Sequence, residues 1–98
     1  MVAGGILPQA NDELIATAEI GEEARRFLES DLGQCLLGMA DQEIAAAQEA
    51  LLTVVPMDFE GIRKLQNQAQ VALYFKQWLA ELVDKGNSAI EVFKQQNQ

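Results

Sequence analysis

The side chains in this sequence best suited to chemistry are carboxylates. Fifteen Asp and Glu stand against seven Lys and Arg, beside a single cysteine and no histidine. Close pairs such as Glu22 with Glu23 and Asp41 with Glu43 resemble the carboxyl pairs used in acid–base catalysis. That chemistry needs a shielded site that drives the two pKa values apart. The neighbouring sequence supplies no histidine, no phosphate-binding loop and no sign of such a pocket, so no catalytic residue is assigned and a non-enzymatic protein is expected. Cys35 falls on an apolar stripe with no base nearby in sequence, and it reads as a small packing residue rather than a nucleophile.

The same inventory bears on cofactors. One cysteine without histidine gives neither an intrachain disulfide nor the nitrogen and sulfur ligands that zinc favours. No segment has the alternating Asp/Asn and central glycine of a calcium loop, so neither a metal nor a cofactor is expected. The adjacent basic pairs, Arg25–Arg26 and Arg63–Lys64, lie among acids, and a net charge of -8 repels nucleic acid. Direct nucleic-acid binding is therefore not expected. Residues 1–10 are apolar but lack the basic flank and cleavage-like site of an export signal, and no window reaches the ~18 apolar residues of a membrane span. A soluble protein of the cytoplasm, with no membrane partner, is the expectation.

The elements that would position these groups are helices. Gly4, Gly5 and Pro8 make residues 1–10 an irregular arm, and Asn11 or Asp12 can cap a short helix through Glu19. Gly21 reads as a boundary. From Glu22 the apolar residues Ala24, Phe27, Leu28, Leu32, Leu36, Met39, Ala40, Ile44, Ala47 and Leu51 recur at helical spacing. The steps of four from Leu32 through Leu36 and Ala40 to Ile44 predict a right-handed supercoil or a bend. Pro56 and Asp58 interrupt this run, Asp58 as the cap of a second helix with Phe59, Ile62, Leu65, Ala69, Ala72, Leu79 and Val83 facing inward. Gly86 reads as its stop, and Ser88 with Glu91 forms a capping-box pattern that starts a short last helix. The expected fold is all-α: one helical domain over 1–98, built as a long antiparallel hairpin of residues 22–54 and 58–85 with short terminal helices.

Two surfaces stand out on that hairpin. Leu37, Val71, Phe75, Trp78 and Leu82 widen the apolar face beyond what one seam covers, and they either pack within the protomer or bind a partner. Glu22, Glu23, Glu29 and Asp31 lie on an acidic face, either solvated or presented to a basic partner. Charge is divided along the chain. Residues 1–60 hold twelve acids against two bases, and residues 61–98 hold five bases against three acids.

The run Arg26-Phe27-Leu28-Glu29-Ser30-Asp31-Leu32-Gly33, the run Ile62-Arg63-Lys64-Leu65-Gln66-Asn67 and the pair Trp78-Leu79 resemble small uncharacterised helical proteins of tailed bacteriophages, over about residues 22–86. The resemblance implies a phage context, within packaging or virion-assembly genes, and no chemistry. A small terminase subunit would also be helical and oligomeric, but the DNA-binding module expected ahead of its oligomerisation hairpin is missing. The leading expectation is a helical protein–protein interaction or assembly module that forms a homo-oligomer or docks on a phage or host protein, in the host cytoplasm or within a virion. The alternative is an acidic inhibitor that mimics nucleic acid and binds a basic host or defence protein.

Overall fold

The computed structural model describes the backbone of residues 2–96 and the side chains of residues 11–96. Among the described residues there are three α-helices and no strand: α1 (Val2–Glu29), α2 (Asp31–Thr53) and α3 (Phe59–Gln96). The all-helical class is as expected, but several boundaries differ. α1 takes in residues 2–10, where Pro8 forfeits one backbone hydrogen bond without ending the helix. Gly21 lies inside α1, and Gly86 and Ser88 lie inside α3. Gly86 does not take the positive φ that a helix-ending glycine uses, so the expected stop and the separate last helix are both absent. Asn97 and Gln98, expected to fray, lie outside the described residues.

The break between the first two helices falls at Ser30, a position the sequence reading ran through. Ser30 is extended (φ -76°, ψ 160°), and its hydroxyl accepts the Gly33 N–H at 2.9 Å while its carbonyl accepts the Gln34 N–H. The first bond satisfies one of the orphan donors that a helix start leaves, and the second opens the backbone ladder of the helix. Arg26 in the last turn of α1 and Asp31 in the first turn of α2 each oppose the sign of the adjoining helix end. Asp58 is the cap of α3, as expected, with its Oδ1 accepting the Gly61 N–H at 2.9 Å. A Cβ on Gly61 would meet only the Asp58 carboxylate, an exposed side chain that can rotate to make room.

Packing divides the chain into two compact units. Unit 1 joins residues 1–28 to residues 79–98, and unit 2 comprises residues 29–78, so α3 contributes to both. In unit 2, α2 and the first part of α3 run antiparallel, with Lys76 on Asp41 and the Gln68 side chain on the Glu43 carbonyl. The α2 residues turned to the seam are Gly33, Leu37, Ala40, Ile44, Ala47 and Leu51, all buried or half-buried. They alternate four and three apart, the spacing of a left-handed coiled-coil seam. The steps of four expected to wind the stripe to the right mix this seam with a neighbouring exposed row, since Leu32 is 62% exposed and Leu36 only half-buried. On α3 the seam continues as Ile62, Leu65, Ala69, Ala72 and Lys76.

Unit 1 is built the same way. Leu14, Thr17, Gly21, Ala24 and Leu28 of α1 share the spacing of Leu79, Val83, Gly86 and Phe93 of α3, and Gly21, Ala24, Gly86 and Ala89 are buried. A Cβ on Gly21 would stand 2.7 Å from the Gly86 Cα and 2.8 Å from the Leu82 carbonyl oxygen. The two backbones therefore touch directly at this level. Among the described residues every buried hydrophobic side chain is an alanine, namely Ala24, Ala40, Ala47, Ala72 and Ala89.

Gly21→Ala should destabilise the chain by roughly 1–3 kcal/mol, because backbone must move to admit the methyl. Gly38→Ala, where a Cβ meets nothing within 4 Å, should stabilise it by up to about 1 kcal/mol through helix propensity. Urea unfolding followed by circular dichroism measures both, and shifts of the same sign would contradict the close approach at Gly21.

Candidate functional site

Small residues draw the helices of unit 2 together and leave larger ones standing beside the seam. The result is an open apolar groove of about 640 Å³. Ala40 and Ala72 form its floor, Leu36 and Met39 its wall on α2, and Val71 and Phe75 its wall on α3. Glu43, Lys64, Asn67 and Gln68 complete its lining with polar groups. Gln68 is tied down by its hydrogen bond to the Glu43 carbonyl. Met39 is 55% and Val71 67% exposed, well above the burial expected of side chains that fill a core.

Of the partner-binding residues read from sequence, Val71 and Phe75 line this groove. Trp78 lies one turn further along α3, 60% exposed and stacked on Tyr74 with ring centroids 6.2 Å apart. Leu37 is half-buried in seam register with Gly33 and Ala40, and it packs within the protomer. Leu82 belongs to unit 1. Sequence reasoning did not assign Leu36, Met39, Glu43 and Lys64 to this surface. The spacing of Leu36, Met39 and Glu43, three and then four apart, was the available signal, but it was merged with the adjacent seam.

The acidic set is also divided. Glu22 and Glu23 are exposed on α1 in unit 1, whereas Glu29 and Asp31 are exposed where unit 2 begins. Glu22 is held by Arg25, whose Nε donates to Oε2 at 2.9 Å and whose Nη2 bonds Oε1, with Arg26 Nε 3.9 Å away. The hydrogen bond from Arg25, reinforced by the charges of Arg25 and Arg26, holds the Glu22 carboxyl below its ordinary value. This region of the face is therefore partly neutralised.

Unit 1 carries two further grooves, one of about 600 Å³ lined by residues that include Leu14, Thr17, Ala89 and Val92 and one of about 340 Å³ lined by residues that include Leu14, Ile15, Ala18, Ile90 and Phe93. Among the described residues no three His, Cys, Asp or Glu side chains come together as a metal site, and no helix is long and apolar enough to cross a membrane. Cys35 is exposed on α2. Comparison of the chain with protein-family models, with curated proteins and with solved structures finds no match.

A lowered carboxyl pKa stabilises the fold above the unfolded glutamate value of about 4.3, and that contribution is lost as pH falls through the folded value. Arg25→Gln should raise the Glu22 pKa toward its ordinary value, read by carboxyl-carbon NMR titration. An unmoved titration would mean that the pair does not form in solution.

Proposed function

We propose that this chain is a non-enzymatic, all-helical protein–protein interaction or assembly module that self-associates or docks on a larger assembly. The observation that carries the reading is the distribution of apolar side chains: alanines are inside, while Leu32, Met39, Val71, Tyr74 and Trp78 are exposed. Single exposed apolar residues are ordinary, but Met39 and Val71 line one groove with Leu36 and Phe75, and a contiguous apolar groove marks an interaction site. Aromatic residues at such sites tend to dominate binding, and here Phe75 lines the groove with Trp78 one turn away. The arrangement also suits two helices with too thin a core to be strongly stable alone, since domains of about this size bury little more than 60% of their unfolded surface.

Our reading extends to a phage setting, in the host cytoplasm or incorporated in a virion, on the resemblance to small tailed-bacteriophage proteins. It is the sequence runs at Arg26–Gly33 and Ile62–Asn67 that support that setting. The rival reading, an acidic mimic of nucleic acid, is less well supported, because Glu22 is engaged by two arginines and α2 carries its acids beside an apolar wall.

Replacing Phe75 and Trp78 together by alanine should dissociate the assembly while leaving helix content largely intact. Loss of about 2 kcal/mol at either residue corresponds to roughly a thirtyfold weaker association. Light scattering over a dilution series, with circular dichroism alongside, makes the measurement; collapse of the helical signal would assign both rings to the protomer's own core.

A further inference from the structure

Resting on the self-association read above, we infer that the groove of unit 2 is filled by the same groove of a second copy, with α2 of each chain lying along α3 of the other. Exposure within unit 2 makes a second copy a fitting occupant: the groove floor is alanine, while Met39 and Val71 beside it are 55% and 67% exposed.

Charge selects the pairing. Two antiparallel helix pairs can meet groove to groove with all neighbours antiparallel in two ways, α2 on α2 or α2 on α3. α2 carries Asp31, Asp41, Glu43 and Glu49 and no base. From Phe59 to Trp78, α3 carries Arg63, Lys64 and Lys76 against Glu60 alone. Stacking α2 on α2 opposes four acids to four, and like charges set face to face suppress a pairing. Stacking α2 on α3 opposes acids to bases. The two-fold axis of this arrangement runs parallel to the helices, so each end of the groove meets the same end of its mate.

That geometry gives one specific contact. Glu43 and Lys64 both line the groove, about one helical turn apart along it, because the Glu43 carbonyl accepts from Gln68, one turn from Lys64. The axis therefore brings Glu43 of each chain within one helical turn of Lys64 of the other, close enough for the two long side chains to pair, twice per dimer. Leu36, Met39, Val71 and Phe75 of both chains fill the space between, completing a four-helix bundle.

The test uses Glu43→Lys and Lys64→Glu in the full chain. Both side chains are exposed, so helix content should hold in each variant. Either variant alone places like charges together at both contacts and should self-associate roughly tenfold more weakly than the parent. Mixed in equal amounts, the two should form a heterodimer of near-parental affinity, read by native mass spectrometry and light scattering. Variants that associate like the parent, or a mixture no tighter than its components, would overturn this pairing and leave self-association standing. A parent chain that stays monomeric at millimolar concentration would overturn both.

Discussion

Everything in this chain follows from how closely its helices approach. At Gly21 and Gly86 the space for a side chain is occupied by backbone of the facing helix, and in unit 2 the seam holds Gly33, Ala40, Ala47 and Ala72 as its buried members. Close approach maximises contact between main chains and excludes bulky side chains from the middle. Each buried methyl or methylene contributes about 0.8 kcal/mol, so a seam of alanines gains much less from the hydrophobic effect than one of leucines. The larger apolar residues are displaced to the flanks, where α2 and α3 raise the walls of a groove. A thin core and an apolar exterior are thus one design with two consequences.

The helix starts repeat a single device. Ser30 and Asp58 each accept the N–H of a glycine three residues on. At Asp58 the carboxylate lies directly over Gly61, where no Cβ stands in its way. Between these caps lies an acidic helix, and after the second cap a basic stretch, joined across the pair by Lys76 and Asp41. Such an exposed pair contributes little to stability, and the segregation of charge matters more for which surfaces accept one another.

The helical class, the interruption at Pro56 and the cap at Asp58 were legible because proline and a capping aspartate act locally. The break at Ser30 was not, since Ser-x-x-Gly within a run of good helix formers resembles helix interior until the hydroxyl is seen to bond Gly33. Gly21 and Gly86 read as punctuation because glycine ends helices often. Their actual role depends on residues 65 positions apart in sequence meeting in space, which no local pattern contains. Val71 and Phe75 were legible as an apolar surplus. Whether Leu36 or Leu37 meets the groove was not legible, because one residue's difference in helical phase decides between the groove wall and the seam.

The division of α3 between two units also sets an order of assembly. Unit 2 closes through the short connection between Thr53 and Phe59, so its contacts carry a small loop-closure entropy. The contacts of α1 lie with residues 79–98, across the whole of unit 2. Once unit 2 has formed, α3 is already nucleated and extends toward Gln96 one residue at a time, escaping the nucleation barrier of a new helix. On the ribosome α1 emerges first and is covered last, so Leu14 and Leu28 on its seam face stay open until residues 79–98 arrive.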